Sequence, residues 1–229
     1  MKKVFLTIIA LAAFLSGAHA QEITRLETDL SDYLPLLKDA GYEVFSWDIS
    51  SLKEKTYHIT FETREYAGGE LVSDSGSDAF RPVFTSRDMI SSFSEKNQQE
   101  IIASGDAYDL EKGIYRLGDK ITIGFSPAAD SLKQVRMSVN NIGSFGNKLK
   151  LRPLDAPGCE GDYAYDIRPF KTEGFKIGEF TPLILVGSFW YDKKFDIVRF
   201  CGEIEFDPDG TSETLQYVPH YYVLGVKIY

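Results

Sequence analysis

Short segments in which apolar and polar residues alternate, separated by turn-forming residues, fill most of the chain after residue 55. A strand with one buried side shows this period of two. The segments predicted as strands are residues 56–63, 120–125, 134–140, 183–191, 195–206 and 215–229. Residues 183–186 are apolar on both sides, which indicates a central strand. Because no helix long enough for a parallel crossover separates these segments, the sequence predicts an all-β fold, an antiparallel β-sandwich.

Two stretches have helical spacing and predict one or two short peripheral helices. Leucines recur every three or four residues within 26–37, which predicts a helix over 32–40 that Ser31 caps and Gly41 ends. A second helix is predicted over residues 94–103, with its first residue as the cap.

The first 20 residues have the parts of a secretory signal peptide. Two lysines precede an apolar run over residues 4–15, and Ala18 and Ala20 place small residues before a cleavage site at Gln21. The run is shorter than the roughly 20 residues that span a bilayer, and no cysteine near the cut predicts a lipid anchor. We therefore expect an exported protein, periplasmic or extracellular, without a lipid anchor.

Residues 21–229 are long enough to bury a substantial core. The part that follows the turn-rich stretch 153–161 is too short to bury a core alone, so we expect a single β-sandwich domain. That stretch is where a boundary between two halves would fall. Residues 67–80, rich in Gly, Ser and Asp, predict a loop.

The chain is acidic, with 34 Asp and Glu against 25 Lys and Arg and a formal net charge of −9. Loss of the two leader lysines changes this charge to −11. Because nucleic acids and anionic membranes attract clustered basic residues, and no cluster is visible along the chain, we expect no nucleic-acid partner. No long apolar run follows the leader, so we expect no membrane insertion after its removal.

Cys159 and Cys201 are the two cysteines. Export to an oxidising compartment favours a disulfide between them, which would stabilise the fold by about 4 kcal/mol. Two free thiols are the equal alternative. Apart from these residues, only His58 and His220 remain after leader removal as soft ligands, so we predict no metal site and no cofactor.

No motif assigns a catalytic residue. The segments 143–146 and 187–189 resemble a serine elbow, but neither has the G-x-S-x-G pattern at a strand-to-helix turn. His58 is predicted on an exposed strand face, and His220 at the start of a strand. The turn at 207–210 has Pro second and Gly fourth, which fits a β-turn better than a calcium loop. A non-enzymatic role is therefore favoured, with the question of an enzyme left open.

Aromatic residues make up 14% of the chain, more than a small core needs. Trp190, Tyr191 and Trp47 are the candidate ligand-binding residues, because exposed Trp and Tyr faces on a rigid sandwich can stack on sugar rings. The alternative is that these side chains fill the core and reach the surface with their polar tips.

Several segments together suggest a family. They are residues 111–116, 120–125, 187–192, 199–203 and 219–225. With the leader and the length, they make the chain resemble a group of uncharacterised secreted proteins of Bacteroides-type gut bacteria. The resemblance implies no activity and no site residue, but it implies a cell-envelope setting in which glycan handling is common.

Three functions follow as expectations. The first is a glycan-binding accessory protein of the envelope that uses an aromatic surface. The second is a protein-interaction or structural component whose sheet edges pair with a partner. The third is a hydrolase. The sequence carries no signal for an oligomeric state.

Overall fold

The computed structural model describes residues 27–52, 57–77, 83–109, 111–200 and 202–229. The predicted leader, residues 1–20, lies outside the described residues, as does Cys201. The described residues form two compact units that divide after Leu36, and all of the sheets belong to the second unit.

The helices are α1 (Leu30–Asp39), α2 (Arg87–Ile90), α3 (Glu95–Ser104) and a 3₁₀ turn (Glu213–Gln216). The first strands are β1 (Glu43–Asp48), β2 (Ile59–Ala67), β3 (Glu70–Gly76), β4 (Phe84–Ser86), β5 (Asp106–Asp109), β6 (Ile114–Arg116) and β7 (Lys120–Phe125). The remaining strands are β8 (Leu132–Val139), β9 (Gly143–Lys150), β10 (Tyr165–Pro169), β11 (Phe180–Ser188), β12 (Trp190–Asp192), β13 (Ile197–Arg199) and β14 (His220–Ile228).

Two antiparallel sheets carry the architecture. One has four strands in the order β1-β7-β8-β9, and the other has five in the order β10-β11-β14-β2-β3. Ile121, Ile123 and Met137 of the first sheet share one buried cluster with Phe61 and Leu224 of the second. The two sheets therefore pack face to face, which confirms the predicted all-β antiparallel sandwich.

The five-stranded sheet is covered on its other face as well. Leu185, Tyr221 and Val223 point away from the sandwich core into a second buried cluster, with Phe170 and Phe206. This second layer explains why residues 183–186 are apolar on both sides, and it confirms the prediction of a central strand.

The predicted helices form with small shifts at their starts. The carboxylate of Asp29, not the side chain of Ser31, caps α1, because it accepts a hydrogen bond of 2.7 Å from the Ser31 N–H. Gly41 ends the helix as predicted, with a φ of 84° and its N–H bonded to the Lys38 carbonyl. Ser94 caps α3 as predicted, by accepting from the Asn97 N–H.

The prediction of a strand over 195–206 is wrong. Among the described residues of this range the one strand is β13, and Asp196 before it adopts a φ of 53°. Ile204 is 80% exposed while Phe206 is fully buried, so these two residues do not share a buried strand face. The apolar residues that suggested a strand here do not form one continuous face. Phe200 and Phe206 each pack separately on the second cluster. The loop predicted at 67–80 is also wrong in part, since it contains β3.

The sub-boundary expected near 153–161 falls on the connection between β9 and β10, inside the second unit. The strand predicted from residue 215 starts only at His220, because Ser212 caps the 3₁₀ turn that precedes it.

Replacing Gly225 by alanine is expected to destabilise the fold strongly. A Cβ there would overlap the Thr181 carbonyl oxygen and lie 2.7 Å from the Phe180 ring. At Gly146, also in a strand, a Cβ would meet nothing within 4 Å. Urea unfolding should give a loss of about 2 kcal/mol for Gly225→Ala, and about 0.5 kcal/mol or less for Gly146→Ala. Equal stabilities of the two variants would contradict this packing.

Candidate functional site

Residues far apart in the sequence meet at one end of the five-stranded sheet. β11 ends at Ser188, while β14 begins at His220 and β10 begins at Tyr165, so antiparallel pairing places all three together. Glu65 of β2 lies opposite Tyr222 of β14, one diagonal step from His220. We call Glu65, Arg152, Tyr165 and His220 the His220 cluster.

Both ring nitrogens of His220 are hydrogen-bonded. Nδ1 contacts the Tyr165 hydroxyl, and Nε2 lies 3.0 Å from Oε1 of Glu65. A carboxylate only accepts hydrogen bonds, so Nε2 carries the proton of the neutral ring and donates it to Glu65. Nδ1 therefore accepts from the Tyr165 hydroxyl, whose oxygen also accepts the Arg152 backbone N–H at 3.0 Å.

Glu65 is the charged centre of the cluster. It also accepts hydrogen bonds from the Ser73 hydroxyl at 3.0 Å and from the Arg152 guanidinium at 3.3 Å. Burial raises the pKa of Glu65, but the hydrogen bonds from His220 and Ser73 outweigh it and leave the pKa below its usual value. The carboxylate is therefore ionised at neutral pH and paired with Arg152.

The rings around Glu65 are neutral. Burial raises the pKa of Tyr165 to about 12, and burial with the nearby Glu65 charge raises that of Tyr222 to about 12. Burial lowers the pKa of His220 by more than its hydrogen bond to Glu65 raises it, and the side chain is 2% exposed. At neutral pH the cluster holds one carboxylate, its guanidinium partner and uncharged rings.

This geometry does not pair His220 with a serine as a general base. Ser188 is buried beside it, but its hydroxyl oxygen accepts the His220 backbone N–H at 3.3 Å. A serine nucleophile needs a ring nitrogen of the base, and Tyr165 and Glu65 occupy both nitrogens. The cluster instead fixes side chains at the end of the sheet.

A cavity of about 370 Å³ lies directly beside this cluster. Arg152 and His220 form part of its wall, so the cluster and the cavity share residues. Trp190, Tyr191 and Tyr217, together with Phe189, are its aromatic lining residues. Asp155 and Lys193 add charged groups.

The aromatic lining is held in a defined arrangement. The rings of Trp190 and Tyr217 are nearly parallel, at 19°, with centroids 6.4 Å apart. Trp190 packs on the second buried cluster, and its strand pairs with β13. The Tyr191 hydroxyl donates a hydrogen bond to the Asp196 carboxylate. Tyr217 remains 64% exposed, which leaves an aromatic face open to solvent.

The structure brings two of the three predicted ligand-binding residues together. Trp190 and Tyr191 line the same cavity, whereas Trp47 lies elsewhere. Trp47 stacks near Phe45, with centroids 6.5 Å apart, and packs on the sandwich core. Trp47 thus takes the packing role stated above as the alternative to ligand binding. Its prediction as a ligand-binding residue gains no support from this position.

Sequence reasoning missed the His220 cluster and Tyr217. Glu65, Arg152 and Tyr165 lie in three separate segments, and only the pairing of β2, β14, β11 and β10 joins them. His220 is the first residue of β14, which lies within the strand predicted over 215–229, and His58 is exposed as predicted. The signal available for Tyr217 was Pro219 two residues later, which argues against a continuous strand over the predicted residues 215–229.

The disulfide stays a prediction. Cys159 is half-buried and forms no disulfide with any described residue, and Cys201 lies outside the described residues. Within the described ranges, no helix is both long and apolar enough to cross a bilayer. The same ranges contain no group of three or more His, Cys, Asp or Glu side chains placed to hold a metal ion.

Fold and site together define a β-sandwich protein with an aromatic-lined cavity at one end of its five-stranded sheet. Residues 12–229 match the family model of a domain of unknown function, DUF5041, and the chain belongs to that family. Among curated proteins and among solved structures, none matches the chain.

The burial of His220 predicts a loss of stability in acid. Because its pKa is lowered from 6.5 in the folded protein, the unfolded chain binds more protons below that pH. The free energy of unfolding is therefore highest above pH 6.5 and falls as the pH drops below it. The lowered pKa of Glu65 extends the loss below pH 4.5.

Urea unfolding across pH 5 to 8 checks this. His220→Asn should lower stability at pH 7.5 by about 2 kcal/mol, through the lost partners of Tyr165 and Glu65, and should flatten the profile near pH 6. The matched variant is His58→Asn, at an exposed position, which should keep the wild-type profile. Parallel profiles for wild type and His220→Asn would show that His220 does not cause the acid loss.

Proposed function

We propose that this protein is an exported, non-enzymatic carbohydrate-binding module that holds a sugar unit in the cavity of Trp190, Tyr191 and Tyr217. One observation carries the proposal. Two nearly parallel aromatic rings, Trp190 and Tyr217, line one cavity together with charged side chains, and one of these rings is largely exposed.

The aromatic arrangement suits the apolar face of a sugar ring. The carbon-bound hydrogens on one face of a pyranose pack against the face of a Trp or Tyr ring, which carries a partial negative charge. Keeping the Tyr217 ring 64% exposed forgoes the stabilisation that its burial would give. Its neighbour Trp190 is held by packing below, so the platform keeps its shape without ligand.

The polar lining suits sugar hydroxyls. Asp155 accepts hydrogen bonds, Lys193 donates them, and Arg152 offers a planar fork of donors. The volume of about 370 Å³ lies within the range of small-molecule sites, roughly 300–1,000 Å³. It fits one or two sugar units.

The His220 cluster supports binding by making the cavity rigid. Arg152 is fixed twice, through its backbone N–H on Tyr165 and its guanidinium on Glu65. A side chain that is already ordered loses less entropy when ligand binds. The occupied ring nitrogens of His220 favour this supporting role over acid–base catalysis.

The sequence supports the setting. A positive start, an apolar run over residues 4–15 and small residues before Gln21 favour export. An exported binding module in the cell envelope encounters glycans directly.

Removing one ring should weaken binding without unfolding the protein. On a glycan array, wild type should bind a defined set of plant, host or bacterial glycans. Tyr217→Ala and Trp190→Ala should each reduce that binding at least about tenfold, since a tenfold loss corresponds to about 1.4 kcal/mol. Trp190→Phe, which keeps a ring, should bind better than Trp190→Ala.

The matched control is Tyr33→Ala, at an exposed tyrosine of α1 that does not line this cavity. Circular dichroism should show every variant folded. Absence of binding across the array, or equal losses for Tyr217→Ala and Tyr33→Ala, would refute the aromatic platform.

The edge strand β3 favours a second candidate function, a protein-interaction component of the envelope. All seven residues of β3 are exposed, and Leu71 and Val72 are each 54% exposed. Among the described strands, β3 lies at the edge of the five-stranded sheet, so its outer backbone groups face a position that a partner strand can take.

This second function predicts that a charge placed on β3 weakens binding of the partner. Val72→Lys should abolish cross-linking to an envelope protein, because a lysine on an edge strand opposes strand addition. Tyr217→Ala should leave that cross-link intact. The opposite pattern would assign the partner to the cavity and reject the edge.

A further inference from the structure

The outer face of the four-stranded sheet carries unpaired positive charge. Arg136 on β8 and Lys148 and Lys150 on β9 are exposed there. Arg136 donates to the Ser144 hydroxyl at 3.1 Å. In the described part of the chain, no carboxylate forms an ion pair with any of the three. The chain as a whole has a net charge of −9, so this face is locally opposite to the rest.

A groove crosses the strands at Arg136. Gly124 on β7 and Gly146 on β9 flank Arg136 in the strand register and have no side chains of their own. The space above Gly146 is open, and Val44 borders the space above Gly124. Adjacent strands lie about 4.8 Å apart, so the floor between the two glycines is roughly 10 Å long. The cavity here measures about 850 Å³, with Val44 on the β1 side and Lys148 on the β9 side.

A row of hydroxyl groups lies beside this floor. Ser46, Thr122, Ser138 and Ser144 pair in register across all four strands. Ser46 and Thr122 are 3.3 Å apart, and Ser144 accepts from Arg136. The face therefore combines a cationic floor with hydrogen-bonding groups on rigid strands.

We propose that this groove binds an anionic polysaccharide, one that carries carboxylate or sulfate groups along its chain. The Arg136 guanidinium contacts an anionic group in the groove, with Lys148 and Lys150 as further charges along β9. The hydroxyl row contacts the sugar hydroxyls. The groove is separate from the Trp190 cavity, and the proposal does not depend on that cavity.

The chemistry favours a polysaccharide over an acidic peptide. The groove runs across the strands, whose backbone groups are already paired in the ladder, so it offers no main-chain edge to a peptide. Its floor has glycines in place of apolar pockets for peptide side chains. Charge attraction acts over about 8 Å at physiological salt, so the acidic remainder of the protein is largely screened from this face.

The test uses affinity electrophoresis of the full protein through polygalacturonate, dextran sulfate and uncharged dextran. Wild type should be retarded by at least one of the anionic polymers and not by dextran, and salt of about 0.5 M should release it. Two variants examine the groove. Arg136→Ala removes charge, and Gly146→Leu fills the open space where a Cβ meets nothing within 4 Å.

Each variant should weaken binding by about tenfold. Lys96→Ala, an equal charge change on the exposed surface of α3, is the matched control and should bind as wild type. Tyr217→Ala should also bind as wild type, which separates this site from the aromatic cavity. Unfolding midpoints should show that Gly146→Leu is folded.

Several results would overturn the proposal. They are no retardation by either anionic polymer, equal retardation by dextran, equal effects of Arg136→Ala and Lys96→Ala, or unchanged binding by Gly146→Leu. Tighter binding of an acidic peptide or of duplex DNA than of both polymers would assign the groove to that other ligand and reject the polysaccharide.

Discussion

The burial of β11 and β14 on both faces is the constraint on which the rest of the structure depends. Leu183 and Leu224 pack into the sandwich, while Leu185 and Val223 pack into the second cluster. Core strands whose ladder and side chains are both shielded from water generally open less readily than exposed ones. The residues at the end of this strand pair are therefore attached to a doubly buried element.

At that end the apolar pattern stops, and the polar side chains that remain must satisfy one another. A buried imidazole without partners costs free energy, and the Tyr165–His220–Glu65 chain satisfies both of its nitrogens. Because the same chain continues to Arg152, the polar network that closes the sheet also orients a wall of the cavity. The same hydrogen bonds therefore satisfy the buried polar groups at the end of the sheet and hold Arg152 in the cavity wall.

The sequence predicted those helices and strands whose apolar pattern comes from the burial of one side of that same element. β7 matches residues 120–125 without a shift, since its alternation reflects one buried side. The prediction of a strand over 195–206 failed because Phe200 and Phe206, which pack separately on the second cluster, have the spacing of residues on one strand face. The site was largely beyond sequence reasoning, since Glu65, Arg152 and His220 are joined only by strand order, though Trp190 and Tyr191 were found as aromatic candidates.

Strand order also explains why the basic face of the four-stranded sheet could not be predicted from the sequence. Along the chain no basic cluster is visible, because Arg136 lies on β8 while Lys148 and Lys150 alternate along β9. Elsewhere some acidic residues form local ion pairs, such as Arg168 with Asp166 and Arg199 with Asp192. Among the described residues, Arg136, Lys148 and Lys150 have no carboxylate partner and share one face beside an open groove, where an anionic ligand would pair with them. Since the groove floor is built from paired strands, its charges keep their spacing whether or not a ligand is bound.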